Sequence, residues 1–379
     1  MRIAHLAVNH KHIDNVINLF NEVELDEHIF FLEKQDEKMA EIPICNSSLN
    51  KYINFEVSEQ LTVARKLEAF DLLVVHCLTP LHANIINLMT QGSTVIMWKG
   101  WGFDYLDLMY DDFSDLLETK SKQLYSKLRL VDGNPSNKYT VSNNKIQAIL
   151  KINLFCPVFE EEFEIIQAKH SFTQHLQYIE WRYGFDYPMK KVVKAKDCIV
   201  KTDSLWLGNS STITNNHLDY LSIATKNKSL RSLVHYIPMS YGFDNYKNEI
   251  KDAAETVLAN NFEIIDEFFE FGQYVNLIAR SKYMVMNHIR QQAMGNIWIG
   301  LLTGCTVFLN EKCPAFNFFK HRGYVFYSIN DLNSGSNIGE FQLTEKQANT
   351  NAEKALNMFS YQQTSIRTYK LIQLVKSYF

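Results

Sequence analysis

The chain has 379 residues, which favours two domains, because single hydrophobic cores stop growing at roughly 250–300 residues. Its 46% apolar and 21% charged residues are ordinary for a globular protein, and a net charge of −4 implies no general affinity for nucleic acid. No run of about 18 uncharged apolar residues exists, so no membrane span is expected. MRIAHLAVNH reads as a first strand rather than a signal peptide. The cysteines (Cys45, Cys77, Cys156, Cys198, Cys305, Cys313) lack CxxC or metal-ligand spacing and read as reduced thiols of a cytoplasmic protein.

In chain order, residues 3–8 predict a strand, with His10 and His12 just after it, and residues 13–20 have helical spacing. A strand is expected at 28–32. Residues 71–77, DLLVVHC, form a strong buried strand that presents His76 at its end and leads into a Thr79-Pro80 helix start. Residues 94–98 form another. After it comes Trp98-Lys99-Gly100-Trp101-Gly102-Phe103-Asp104. Rings stack on sugar faces and glycine permits close approach, so Trp98, Trp101 and Gly102 are candidates for an acceptor. Asp104 could take a proton from an attacking hydroxyl, or cap the following helix. His76 and His12 are further candidate bases, with a structural role as the alternative. Residues 107–130 and 158–170 look helical, and Asp111-Asp112 would lie on a solvated helical face.

Residues 188–197, PMKKVVKAKD, place Lys190, Lys191, Lys194 and Lys196 in a run with no core pattern, which reads as a linker. The strand–helix alternation then restarts. Strands are expected at 204–207, 233–237, 262–265, 283–287 and 306–309, and helices at 216–225, 245–258, 271–281 and 295–303. Residues 344–379 look helical and should pack across the domains. The fold class is therefore α/β, with two Rossmann-like domains whose parallel sheets face a cleft: 1–190, 198–343 and a helical tail, 344–379. A cleft suits a two-substrate reaction that excludes water. GxGxxG and the P-loop pattern are absent.

Two turns of the second domain suit an anion. Gly208-Asn209-Ser210-Ser211, with Asn215 and His217, offers backbone N–H groups and short polar side chains between a strand and a helix. Arg290-Gln291-Gln292, with Gly295 and Asn296, does the same and adds a cation. Pro238 and Tyr241 follow a strand on the same edge, where Tyr241 could stack on a base. No DxD-type pair sits where a metal would bind with a sugar nucleotide, so metal-independent chemistry without a cofactor is expected.

These motifs, in this order, resemble glycosyltransferase family 56. The matching pieces are the first strand with its histidines, His76 to Pro80, W-x-x-W-G-x-D at 98–104, GNS…N-x-H at 208–217, and Pro238-Met239…Tyr241. They continue with R-Q-Q-x-x-G at 290–295 and L-N…P at 309–314, which adds Asn310. The resemblance implies a GT-B fold with the nucleotide sugar on the C-terminal domain and the acceptor on the N-terminal one. It makes Asn209, Ser210, Arg290, Gly295 and Asn296 diphosphate candidates and Asp104 or a histidine the base. It implies transfer of a 4-amino- or 4-acetamido-4,6-dideoxyhexose such as N-acetylfucosamine from dTDP to a polyprenyl-diphosphate-linked saccharide. That acceptor belongs to enterobacterial common antigen or O-antigen, on the cytoplasmic face of the bacterial inner membrane. Lys99 stands where the family pattern has a His, and Ser211-Thr212 where it has Gly-Asp. Alternatives are a nucleotide-sugar epimerase of the same fold and a non-catalytic polysaccharide-assembly protein.

Overall fold

The computed structural model describes residues 1–8, 13, 16, 19–20, 27–33, 51–90, 92–132, 138–183, 192 and 199–379. They form two compact units. Unit 1 comprises Met1–Asp111, Tyr139–Phe185 and Phe359–Phe379, and unit 2 comprises Asp112–Lys138 and Asp186–Met358.

Unit 1 contains β1 (Arg2–Val8), β2 (Glu27–Glu33), β3 (Lys51–Phe55), β4 (Leu72–His76), β5 (Val95–Lys99), β6 (Leu154–Cys156) and β7 (Gln177–Tyr178). Their order is β3-β2-β1-β4-β5-β6-β7, and all pairings are parallel. β4, LLVVH, is buried throughout, as a central strand covered on both faces must be. Alternation sorts the side chains. Ala4, Leu6, Leu73 and Val75 join one core, whereas Ile3, Ala7, Leu72 and Val74 join another with Trp181. The helix Tyr361–Lys376 covers the second face, where Leu371 and Val375 enter the core and Trp181 Nε1 donates to Thr368 Oγ1 at 3.0 Å. Thr79 caps the helix Pro80–Leu88, its Oγ1 accepting from His82 N at 3.1 Å, with proline in the first turn.

Unit 2 contains β8 (Thr202–Leu207), β9 (Val234–Pro238), β10 (Phe262–Ile265), β11 (Ser281–Met286), β12 (Thr306–Leu309) and β13 (Tyr327–Ser328). The order is β10-β9-β8-β11-β12-β13, again all parallel. Strand order reverses between β1 and β4 in one sheet and between β8 and β11 in the other. Each sheet therefore has one switch point, where ligands of open α/β sheets bind.

Some expectations change. Residues 107–130 are not one helix: Leu106–Met109 stops, Phe113–Leu116 is a 3-10 turn, and Thr119–Asp132 is a new helix. Aspartate prefers capping to a helix interior. Asp112 Oδ1 accepts from Ser114 N at 2.8 Å, and Asp111 pairs with Lys169 at 2.8 Å; Asp111 is solvated as expected, but neither residue lies in a helix. Residues 112–138 group with unit 2, because Leu117 and Leu124 are buried with Tyr220 and Leu221. The tail divides as well. Glu345–Phe359 lies almost wholly in unit 2, with Asn351 bonded to both backbone atoms of Val325, and Tyr361–Lys376 lies in unit 1. β3, β6, β7 and the helices Gln60–Leu67 and Asn143–Ile149 had no sequence expectation. The Lys190, Lys191, Lys194 and Lys196 run, Cys45 and Cys198 lie outside the described residues. The other four cysteines are free and buried. No helix among the described residues is long and apolar enough to cross a membrane.

Glu162 opens a pH dependence in unit 1. It is buried, and its Oε2 accepts from Tyr105 OH at 2.6 Å and Phe159 N at 2.9 Å. Burial lifts its carboxyl from the ordinary 4.5 to about 7. The folded chain then keeps a proton that the unfolded chain releases, so this contribution is full below the unfolded value and is lost as pH rises through about 7. Glu162→Gln retains an acceptor oxygen and removes the titration. Its melting temperature is expected to stay level between about pH 5 and pH 8, where the parent's falls. Parallel melting curves for the two proteins would refute this.

Candidate functional site

β8 and β11 are neighbours at the switch point of unit 2, pairing Leu205 with Tyr283 and Leu207 with Val285. The segments leaving their C-terminal ends meet. Gly208 turns the chain out of β8 with φ of 70°, the left-handed region that glycine adopts without cost. A Cβ at this position would lie 2.4 Å from His217 Nε2 and 2.8 Å from Asn215 Oδ1. Gly208→Ala thus combines backbone strain with overlap against two buried side chains. It is expected to cost about 2–4 kcal/mol in urea unfolding of unit 2. An unchanged midpoint would show that the turn relaxes.

Asn215 organises this turn. Its Nδ2 lies within 2.9–3.1 Å of the carbonyl and hydroxyl oxygens of Ser210 and Thr212. Its Oδ1 accepts from Asn209 N at 2.9 Å and from His288 Nε2 at 2.8 Å. The amide orientation is fixed by four acceptors on one side and a backbone donor on the other. His288 therefore carries its proton on Nε2, and its buried Nδ1 has a lone pair with no hydrogen-bond partner. Burial, and then the charges of Arg290 and His217, hold the His288 pKa well below the usual imidazole range. His217, at the start of the helix His217–Lys226, is likewise kept neutral, its pKa pushed down to about 3 by burial. Its Nδ1 is 2.9 Å from Tyr246 OH.

The segment after β11 reaches the same place. Gln292 is buried, donates from Nε2 to Asn209 Oδ1 at 2.9 Å and accepts from Thr214 Oγ1 at 2.9 Å. It ties the two turns together. Arg290 is half-buried, with Nη1 donating to Gln291 O at 3.1 Å. Ala293 caps the helix Met294–Leu302 in a left-handed conformation, with φ of 54°. Gly295 is exposed in its first turn, with open space where a Cβ would sit, and Asn296 bonds the Tyr274 hydroxyl.

Tyr241 joins through its hydroxyl, which Asn209 Nδ2 reaches at 2.5 Å. Its half-exposed ring stacks near Phe268, centroids 6.3 Å apart and planes 13° apart. So Gly208, Asn209, Ser210, Asn215, His217, Tyr241 and Arg290 cluster around one turn, and Gln291 accepts from Arg290 through its carbonyl oxygen. Two expected donor residues are used differently. Pro238 is buried as the last residue of β9, paired with Ile265. Asn310 donates to Asn287 Oδ1 at 2.8 Å and to Glu118 Oε1 at 3.0 Å, and accepts from Lys312 N at 3.0 Å. Both ends of its amide are occupied by the fold.

Unit 1 presents a different picture. Trp98 is a core side chain: it is fully buried, stacked on Phe155 at 4.2 Å, and cannot offer a face to a sugar. The reason is its place within β5, buried at every position. Asp104 is 8% exposed and accepts three hydrogen bonds, each of 2.8 Å, from Leu78 N, Trp98 Nε1 and Trp101 N. That geometry favours positioning over proton transfer. Gly102, with φ of 100°, precedes this turn. His76 is fully buried between His5 Nδ1 at 3.1 Å and Tyr183 OH at 2.7 Å. Burial first, and then the charges of Lys99 and His82, push its pKa down to about 3. Trp101 Nε1 donates to Tyr183 OH at 2.8 Å, and its ring is partly exposed. His12 lies outside the described residues.

Sequence reasoning passed over His288, Thr214 and Tyr246, and within the Arg290-Gln291-Gln292 turn it singled out Gln291 rather than Gln292. A His directly after a buried strand was a usable signal. The choice between Gln291 and Gln292 was not, because adjacent identical residues give no sequence signal for which side chain is buried.

A search of curated proteins gives no match. Among solved structures, a glycosyltransferase from Rickettsia africae is similar, with a TM-score of 0.65 at 12% identity over 99% of this chain and 98% of that one. HepE from Anabaena, solved with UDP and glucose, gives 0.60 at 11% identity over the whole of both chains. The α,α-trehalose-phosphate synthase (UDP-forming) from Burkholderia vietnamiensis gives 0.64 at 8% identity, also over the whole of both. At these identities the likeness is one of fold, GT-B. The family model described as 4-alpha-L-fucosyltransferase glycosyl transferase group 56 matches residues 159–365, more than half of the chain, and the protein belongs to that glycosyltransferase family.

Proposed function

We propose that this glycosyltransferase moves a 4-amino- or 4-acetamido-4,6-dideoxyhexose, such as N-acetylfucosamine, from a dTDP-sugar to a polyprenyl-diphosphate-linked saccharide. The work would take place on the cytoplasmic face of a bacterial inner membrane, in assembly of enterobacterial common antigen or O-antigen. The observation that carries the donor half is the junction of the β8 and β11 turns, where Gln292 bridges to Asn209 beside Arg290 and Asn215. Short polar side chains, a helix N-terminus and a guanidinium gathered at a switch point are what a diphosphate needs. Negative charge grows on the leaving diphosphate in the transition state, so Arg290 and the helix N-termini would act without a metal. Tyr241 and Phe268 offer aromatic faces for the base, a contact worth about 1–3 kcal/mol. HepE, solved with UDP and glucose, supports a nucleotide-linked donor.

The test is a thermal-shift screen against dTDP-, UDP- and GDP-sugars, followed by turnover on a lipid-linked saccharide extract. Stabilisation by dTDP-sugars and transfer to lipid are expected. Release of a free epimer without any acceptor would instead make the protein an epimerase. Neither binding nor turnover would point to an assembly role. Arg290→Ala is expected to weaken dTDP binding by about 1.5–3 kcal/mol, roughly 10- to 150-fold. Calorimetry showing equal affinity would remove Arg290 from the site.

A further inference from the structure

The last helix of unit 1, Tyr361–Lys376, has two unlike faces. Thr364, Thr368, Leu371, Ile372 and Val375 are buried against the sheet. Gln362, Ile366, Tyr369, Lys370, Gln373 and Lys376 form an exposed stripe, spaced i, i+4, i+7, i+8, i+11 and i+14. Ile366 is 40% exposed and Tyr369 61%, and just past the helix Tyr378 is 44% and Phe379 64% exposed. Single exposed apolar residues need no explanation, but aromatic and aliphatic groups gathered on one helix face do.

The charge on this segment is one-sided. From residue 361 to 379 the chain has Arg367, Lys370 and Lys376 and no Asp or Glu, although the whole chain carries −4. Arg367 is drawn inward by Glu180 at 3.4 Å. Lys370 and Lys376 stay on the exposed stripe, with Lys370 one turn from Ile366 and next to Tyr369. Lysines and a tyrosine on one exposed helix face, with an aliphatic residue one turn from Lys370, suit the boundary between water and acyl chains.

We propose that this stripe docks the protein on an anionic lipid surface. It extends the proposed function, and rests on it for its purpose, by assigning the face through which a lipid-borne acceptor is approached. A second copy of the chain is the poorer occupant. A two-fold contact sets the same patch against itself, and would face two surfaces whose charged side chains are lysines with no acidic partner. Anionic headgroups instead meet both lysines with opposite charge and take the rings and Ile366 into the interface.

The experiment is flotation with vesicles, without donor or acceptor. One set is phosphatidylcholine alone and the other two parts phosphatidylcholine to one part phosphatidylglycerol. Binding to the anionic set alone is expected, with release at high salt as the Debye length shrinks from about 10 Å to about 3 Å. The K370Q/K376Q variant should bind roughly thirty-fold more weakly. I366S/Y369S should also float poorly, with an unchanged melting curve because both side chains are exposed. Equal binding to both vesicle sets, or anionic binding untouched by K370Q/K376Q, would overturn the proposal. So would a dimer in sedimentation velocity that I366S/Y369S dissociates. Because flotation needs no turnover, failure here leaves the transferase reading intact, and loss of turnover leaves flotation unaffected.

Discussion

Asp104→Asn is expected to unfold unit 1 at markedly lower denaturant while leaving unit 2, and the nucleotide binding proposed for it, unchanged. Oδ1 accepts from Trp101 N, and Oδ2 accepts from both Leu78 N and Trp98 Nε1. An amide has one oxygen. In one orientation its NH2 faces Trp101 N, and in the other it faces two donors. No rotation satisfies the site. Leaving even one buried donor unsatisfied costs about 1–3 kcal/mol, and hydrogen bonds to a charged group are worth about 1.5–3 kcal/mol. A total loss of about 2–4 kcal/mol follows. The measurement is urea unfolding followed by tryptophan fluorescence, since Trp98 and Trp101 are both attached to this carboxylate. The opposite pattern, with intact unfolding and a fallen turnover, would restore Asp104 as the base that takes the acceptor proton.

Asn215→Asp is the second large effect, in unit 2. The two side chains have almost the same shape, so the change is electrical. Oδ1 would still accept from Asn209 N and His288 Nε2. The other atom, now an oxygen, would face the carbonyl oxygens of Ser210 and Thr212 where a donor stood before. A buried charge among acceptors costs several kcal/mol unless it is protonated. The variant is expected to lose about 2–4 kcal/mol of stability near neutral pH, part of it recovered in acid. It should also bind dTDP about tenfold more weakly, because a new anion would stand in the turn proposed for the diphosphate. Unchanged affinity in a folded variant would place the diphosphate elsewhere.

Much of the fold was legible because parallel strands buried on both faces leave apolar runs that few other elements imitate. LLVVH and SLWL are of this kind. β6 and β7 escaped notice because they are three and two residues long, too short for any period. The interrupted helix after Asp107 was missed because capping aspartates look like a solvated face until the backbone turns. Candidate residues fared unevenly for a related reason. Asn209, Asn215 and Arg290 are placed by their strand ends, which the sequence marks. Trp98 and Asn310 carry the chemistry a ligand would want, yet that chemistry is spent on neighbours within the fold: Asn310 on Glu118 and Asn287, Trp98 on Asp104 and Phe155.

The row Trp101, Tyr183, His76 and His5 carries a consequence for the interior of unit 1. Each imidazole nitrogen of His76 is committed to a neighbour, one to a phenol and one to another imidazole. A tautomer at His76 therefore dictates the tautomer of His5 and the direction of the Tyr183 hydroxyl. The protons between Tyr183 and His5 can reverse only in concert, whereas the Trp101 indole N–H, which can only donate, keeps its direction. The interior dipole of unit 1 is thus a collective property of the row, and an isotope-labelled His5 should report the orientation of Tyr183.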